Sequence, residues 1–431
     1  MSYPKQLTPS AERIVCLDVL RGVAVLGILV MNIYAFAMPA MAYSNPLVMG
    51  GTDPVNLGVW FFTHALFDQK FMTIFSLLFG AGIVLMSDRA DARETSFAPT
   101  FYRRQFWLLV IGAIHAYLIW FGDILFAYAL VGMIVFFFRR MPARKLIVIA
   151  LFMLPMSPLI FYSSGTQMLE LKATAESLQQ RVEEGEVLDE IEQATVDQWD
   201  EQKPFFAPGP EEIQAEVDAY TSDYATIVAH RAPFVAMFQF AFFLLFTLWR
   251  VGGLMLLGMA LMKLGVLSGE RSPGFYARLL AIGYGLGLPL TIWSGVNLYA
   301  HEFDGLYAFQ LGGIPNYIGS ILVALGHIGA VMYAVKAGWL EGLLRRFGAV
   351  GRMALTNYLM HSIVMTTIFY GYGLGLFAEV PRIGQMAFVI GMLGVQLIIS
   401  PWWLERYQFG PLEWLWRRLS YAHRQPMRAG G

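Results

Sequence analysis

The chain has 431 residues, 57% of them hydrophobic and only 14% charged, with a formal net charge of −1, whereas soluble domains carry roughly 25% charged residues. The mean hydropathy is +0.54, and apolar runs recur at about 20 residues, the length that crosses a hydrocarbon core of about 30 Å. These values exclude a soluble domain. The single cysteine, Cys16, excludes an intrachain disulfide and a Cys-rich metal site. Neither a metal nor a nucleic-acid partner is expected.

The pattern predicts an all-α polytopic membrane protein. Helices are expected at about 15–37, 70–87, 105–122, 124–138, 146–162, 234–262, 279–300, 314–336, 353–376 and 384–401. The expected organisation is a membrane half over 1–162, an acidic segment over 163–233, a second membrane half over 234–405 and a basic tail over 406–431. Each half would hold five helices. Lys5 and Arg13 precede the first apolar run, which ends in small residues (AFAMPAMA) resembling a signal-peptidase site. Asp18 and Arg21 inside that run argue against cleavage. The short apolar stretch 57–67 reads as interfacial or re-entrant. Ten spans would place 23 of the 30 Lys and Arg on one face, which predicts both termini in the cytoplasm of a bacterial inner-membrane protein.

Residues 163–233 carry sixteen Asp and Glu against four Lys and Arg, a local charge of −12. They show an amphipathic helical pattern and would form either a small extracytoplasmic cap or a solvated linker. Most of the 42 glycines lie inside apolar runs with no strand before them. They read as helix-packing positions, including GYGLG and GYGLGLF, rather than as nucleotide loops. Glycine-rich faces of this kind are also compatible with a homodimer.

Ionisable residues inside a bilayer are costly and therefore mark sites. On the first helix, Asp18, Arg21 and Asn32 fall within an arc of about 60°, with Asn32 about 16 Å beyond Arg21. Asp18 and Arg21, three residues apart, can pair. Asp68, Lys70 and Ser76 mark the outer end of the second helix, and His64 precedes them. His115 lies near the middle of LLVIGAIHAYLIWFGDILF, where an imidazole can act as base or hydrogen-bond donor. Asp123 stands about 12 Å along and about 80° round a straight helix from it, so the two cannot touch within one straight helix. Gly122 lets the chain turn back toward a common space, and Asp123 is expected at the outer mouth and not as a partner of His115 in a dyad. Arg250, in LFTLWRVGGLM, should face the interior and pair with an acid such as Asp18 or Asp123. Asn357 and His361 share a face of the ninth helix, behind Arg352 at the interface. No serine-nucleophile elbow or phosphate-binding loop is present.

Four blocks together resemble the YeiB family of bacterial inner-membrane proteins. They are LDVLRGVAVLGILVMNI, KFMTIFSLLFGAG, HAYLIWFGDILFAYALVG, and GRMALTNYLMHS followed by FGPLEWLWRRLSY. The last pair is similar to the family's C-terminal domain of unknown function 418. The family is grouped with transmembrane acyltransferases, which move an acyl group from cytoplasmic acyl-CoA to an acceptor hydroxyl or amine across the membrane. The resemblance matches Asp18, Arg21, Gly22 and Asn32 to the first-helix pattern of those enzymes. It sets His64 in the place of a histidine that works with the asparagine, and His115 in the family's own HxxxxWxGD block. It therefore makes His115 the first choice and His64 the alternative. Acyl transfer needs a base and oxyanion donors, roles that His115 and Asn32 would fill in one dry cavity, with Asp123 as the third catalytic candidate. Asp18, Arg21, Lys70, Arg250, Arg352, Asn357 and His361 would bind substrate or acyl-CoA, acetyl-CoA being the simplest donor. The acceptor would be a small molecule, glycan or lipid on the outer side. A small-molecule carrier and an envelope sensor or binding protein are the alternative readings.

Overall fold

The computed structural model describes residues 9–51, 53–92, 94–421 and 426–428. Both chain ends, Arg93 of the first basic loop, and His423 and Arg424 of the tail lie outside the described residues, and so does the placement of the termini.

Helix α1 (Pro9–Ala37) carries the first apolar run and ends before Pro39. Helix α2 (Pro54–Leu66) starts at Asp53, whose carboxylate accepts the N–H groups of Val55 and Asn56, with Pro54 in the first turn. The stretch expected to be interfacial or re-entrant is thus a 13-residue helix. The chain breaks at Phe67–Gln69, Gln69 taking a left-handed φ of 62°, and resumes as α3 (Lys70–Asp91). Helix α4 (Ala98–Ile114) widens into a π-turn over His115–Ile119 and is followed by α5 (Leu125–Val135). Pro155 interrupts α6 (Ala143–Met153) and α7 (Met156–Glu183). Then come α8 (Glu190–Phe206), α9 (Pro210–Tyr220) and α10 (Tyr224–Phe242), and a π-turn at Phe243–Thr247 leads into α11 (Leu248–Lys263). The rest is α12 (Pro273–Ala300), a single turn α13 (Gly305–Tyr307), α14 (Ile314–Ala337), α15 (Glu341–Arg352), α16 (Ala354–Phe369), α17 (Arg382–Leu404) and α18 (Pro411–Ser420).

The protein is therefore a polytopic all-α membrane protein. Helix occupies every one of the ten expected positions. Among the described residues, seven helical stretches are long and apolar enough to cross a bilayer in one piece, and α5 is a shorter apolar helix. The ninth expected span stops early: α16 ends at Phe369, Tyr370 turns to extended backbone (ψ 155°), and Gly371, Gly373 and Gly375 form the turn that follows. The GYGLGLF glycines hence serve a turn and not a helix face. Gly375 has φ +69°, and a side chain at Gly371 would overlap the carbonyl of Thr221.

Other glycines set helix–helix distance. A Cβ at Gly22 would overlap the Phe347 carbonyl and one at Gly351 the Asp18 carbonyl, so α1 and α15 meet backbone to backbone. Gly80 and Gly258 do the same for α3 and α11 against Met255 and Leu77. The main core takes residues from both ends of the chain, Leu17, Leu77 and Tyr128 packing in the same cluster as Met255, Ile328 and Tyr358. In the acidic segment α7, α8 and α13 enclose a small core of Ala175, Leu178, Val196, Trp199 and Leu306. Glu216 of α9 accepts the Ala40 N–H (2.9 Å) and Gly371 donates to the Tyr220 carbonyl (2.9 Å), which ties the segment to the membrane helices.

Candidate functional site

Helix α4 cannot continue as an ideal helix past His115. The Trp120 N–H reaches five residues back to the His115 carbonyl (2.8 Å), Trp120 is extended, and the chain reverses through Gly122, where a Cβ would overlap the Trp120 ring. Gly112 leaves room for the returning chain, since a side chain there would collide with Phe126 N. The Trp120 ring stacks on Phe36 of α1 at 4.0 Å. Arg231 of α10 donates from Nε to the Tyr117 carbonyl (3.0 Å) and from Nη1 to the Ile119 carbonyl (2.7 Å), and the Tyr224 hydroxyl donates to the Leu118 carbonyl (2.7 Å). These donors satisfy the carbonyls that the abrupt end leaves open.

The reversal brings Asp123 back alongside His115. Its Oδ1 lies 2.8 Å from His115 Nδ1, and its Oδ2 accepts the Phe126 N–H at 2.7 Å in the first turn of α5. The expectation that Asp123 stands apart at the outer mouth is corrected: a straight helix would separate the two, and the π-turn removes that geometry. On the other side of the ring, His115 Nε2 lies 2.8 Å from Ser362 Oγ on α16. His115 and Ser362 are 0% exposed and the Asp123 side chain 2%. An ionised Asp123 can only accept, so Nδ1 carries the hydrogen and Nε2 accepts from the serine hydroxyl. Tyr358, one turn before Ser362, packs its ring edge-on against His115 at 5.3 Å and donates to the Gly122 carbonyl (3.1 Å). The result is a buried Ser–His–Asp chain in which the aspartate fixes the tautomer that leaves Nε2 basic. Ser362 and Tyr358 escaped the sequence reading, although both lie in the GRMALTNYLMHS block.

The other predicted site residues fall in four places. Asp18 and Arg21 pair on α1 (Nη1 to Oδ1, 2.9 Å), and Arg352, exposed at the end of α15, donates to the Gln408 carbonyl (3.4 Å). Asn32 is partly buried on α1, and its side chain makes no hydrogen bond among the described residues, so no contact ties it to His115. Asn357 and His361 fasten α16 to α17: the Asn357 amide donates to Ser400 Oγ (3.1 Å), and His361 Nε2 meets Gln396 Oε1 at 2.7 Å. Both belong to the seam between the two helices, and among the described residues neither makes a hydrogen bond to His115.

The fourth place is the break between α2 and α3. Lys70 Nζ donates to the His64 carbonyl and to Asn316 Oδ1, both at 2.6 Å. The Asn316 amide donates to Asp68 Oδ2 (2.6 Å), and the Tyr43 hydroxyl donates to Asp68 Oδ1 (3.0 Å). One asparagine thus bridges a buried carboxylate and a buried ammonium. His64 stacks on Trp60 at 4.7 Å, its Nδ1 3.6 Å from Asp68 and its Nε2 buried without a hydrogen-bond partner. One turn along the same faces, Arg250 donates to Ser320 Oγ (2.8 Å), Thr73 Oγ1 (3.3 Å) and the Tyr317 carbonyl (3.3 Å), and lies 4.1 Å over the Tyr317 ring. The expected acid partner of Arg250 is therefore replaced by hydroxyls, a carbonyl and an aromatic face, and neither Asp18 nor Asp123 pairs with it.

Residues 261–423 match the family described as "Protein of unknown function (DUF418)". Over 438 residues, 98% of each chain, the sequence is 32% identical to "Uncharacterized protein YxaH" of Bacillus subtilis (strain 168). Over 418 residues, 95% of this chain and 96% of the other, it is 33% identical to "Uncharacterized protein YeiB" of Escherichia coli (strain K12). The chain belongs to the YeiB/DUF418 family. No solved structure matches it significantly. Both sides of the Ser–His–Asp chain fall within the aligned length of these relatives, but only Ser362 lies in the segment that matches the DUF418 family.

Proposed function

We propose that this member of the YeiB family is an inner-membrane acyltransferase with both termini in the cytoplasm. It passes an acyl group from acyl-CoA, acetyl-CoA being the simplest, to a hydroxyl or amine of a small-molecule, glycan or lipid acceptor on the outer side. The observation that carries the reading is the Ser362–His115–Asp123 chain, with both contacts at 2.8 Å and no exposed member. In the first step Ser362 Oγ attacks the thioester carbonyl and its proton passes to His115 Nε2. The C–O bond forms, the C–S bond breaks, and the thiolate leaves with the proton from His115. In the second step the acceptor gives its proton to Nε2 and attacks the serine ester, and Ser362 Oγ leaves and recovers the proton. Asp123 holds the ring at Nδ1 and faces the positive charge that the ring gains when Nε2 takes the proton. Asn32, on a helix that packs against α16, is the candidate oxyanion donor. Arg21 and Arg352 are candidates for holding the CoA phosphates.

The test is intact-mass analysis of purified protein after incubation with acetyl-CoA, together with thiol release. Wild type should gain one acetyl group, whereas Ser362→Ala should gain none and His115→Ala should lose both signals. A folded wild-type protein that neither gains mass nor releases thiol in the presence of lipid and glycan extracts sinks the reading.

A second reading rests on the broken α2–α3 helix with Asp68, Asn316 and Lys70 buried at the break. Interrupted helices with buried charges also suit a carrier. It predicts proton-coupled flux in liposomes that Lys70→Met abolishes and Ser362→Ala leaves intact.

A further inference from the structure

A cavity of about 500 Å³ opens on the Lys- and Arg-rich face, away from the Ser–His–Asp chain. It lies between the end of α3, the start of α4 and α18. Its lining brings three arginines together, Arg89, Arg104 and Arg417, with Ser96, Thr100 and Tyr421, and among the described residues it contains no Asp or Glu.

Arg104 is the anchor. It is only 8% exposed, yet no carboxylate neutralises it. Its guanidinium lies 4.1 Å over the Trp416 ring, Nη1 donates to the Tyr421 hydroxyl at 3.1 Å, and the buried Nε has no hydrogen-bond partner. The Trp416 indole in turn donates to the Arg104 carbonyl (2.9 Å), so the side chain is held in place from both ends. A buried guanidinium with an unspent donor is expensive unless an anion completes it. The start of α4 adds to this. No side chain caps it and Pro99 in its first turn has no N–H, so Ala98 and Thr100 carry the backbone donors at the positive end of a 17-residue helix. The hydroxyls of Ser96 and Thr100 make no hydrogen bond among the described residues.

We propose that this pocket binds a phosphate ester. Planar arginine forks, free hydroxyls and an open helix N-terminus suit the tetrahedral, multiply charged phosphate group better than a carboxylate or halide. Two sources present the same chemistry at this face of a membrane: a soluble phosphorylated or diphosphorylated metabolite, and the headgroup of an anionic phospholipid. The site stands independently of the acyl-transfer reading, because its test reads binding and not turnover.

The full chain in uncharged detergent would be titrated calorimetrically with inorganic pyrophosphate. In parallel, lipid retention would be followed by native mass spectrometry after exposure to phosphatidylglycerol or phosphatidylcholine. The variants are Arg89→Gln, at an exposed position that leaves the packing intact, and Arg104→Lys, which keeps the charge and loses the fork. Arg346→Gln, in a separate shallow concavity on the same face, controls for general charge. Saturable pyrophosphate binding, weakened about tenfold in Arg89→Gln and Arg104→Lys and unchanged in Arg346→Gln, supports the site and names a soluble ligand. Selective retention of phosphatidylglycerol with the same variant pattern, and no pyrophosphate binding, supports the site and names a lipid headgroup. Absence of both, or binding that Arg89→Gln and Arg346→Gln reduce equally, overturns it.

Discussion

At the level of single residues, Asp123 has two tasks that substitutions can separate. Asparagine retains a carbonyl oxygen for the Phe126 N–H, but its amide group donates toward His115 Nδ1. The ring would then carry its hydrogen on Nε2, facing Ser362, and could no longer accept the serine proton. Asp123→Asn should therefore fold normally and lower serine acylation about 10³–10⁴-fold, read by intact mass against thermal stability. Asp123→Ala loses the Phe126 contact as well and should cost a further 1–3 kcal/mol or so of stability. His115 and Asp123 were both legible in the sequence, since each is an ionisable group in an apolar run. Their contact was not, because a turn back at Gly122 alone leaves Asp123 at the outer mouth, and nothing in HAYLI marks the fifth residue at which the turn widens. Ser362 was hidden for another reason: a serine within a helix is ordinary, and it becomes chemical only because α16 brings it to a histidine 247 positions away. The acid assigned to Arg250 failed because a guanidinium in an apolar bundle can be satisfied by hydroxyls, a carbonyl and an aromatic ring just as well.

At the level of elements, the helices that hold the site are themselves held by side chains from elsewhere in the chain. Glu413 of α18 accepts the N–H groups of Leu355 (2.6 Å) and Thr356 (3.1 Å), so it caps α16, the helix of Ser362. Burial pushes its carboxyl above the ordinary 4.5, against the opposing effect of the Thr356 hydrogen bonds. Above 4.5 the folded protein therefore keeps a proton that the unfolded chain has released. This contribution is fully present below 4.5 and is lost as pH rises through the folded value. Glu413→Gln should remove that downward slope, seen as a melting-temperature difference between wild type and variant that changes with pH from 4.5 upward. Arg231 plays the corresponding part for the π-turn. Arg231→Met should release the carbonyls of Tyr117 and Ile119, lower stability by about 1–3 kcal/mol and disturb the His115–Asp123 contact, so that acylation falls with it. The positions of the ten helices were legible because a bilayer demands long apolar runs. The break at Phe67–Gln69 was legible too, between the 57–67 stretch and the helix from 70. The π-turns at His115–Ile119 and Phe243–Thr247 were not, because these depend on which donors neighbouring helices supply to the freed backbone.

At the scale of the whole molecule, segregation of charge and packing of the chain point to one orientation. The basic loops, the amphipathic α15 and α18 and the arginine pocket hold the Lys- and Arg-rich stretches, while residues 163–233 carry a local charge of −12. Orientation by positive charge predicts that the acidic segment is extracytoplasmic, and the only cysteine, Cys16, is buried and gives little background labelling. Val187, 93% exposed between α7 and α8, and Trp339, 58% exposed between α14 and α15, report on opposite faces. In intact cells a membrane-impermeant maleimide should label Val187→Cys and leave Trp339→Cys untouched until the membrane is opened. The reverse pattern would place the arginine pocket outside the cell, where cytoplasmic acyl-CoA does not reach. It would also turn the Ser–His–Asp chain toward an outer donor, and acyl transfer from coenzyme A would no longer be consistent with the fold. Labelling as expected keeps the proposed acyl-CoA donor and the proposed outer acceptor on opposite sides of the buried Ser362, the arrangement that a two-step transfer across a bilayer requires.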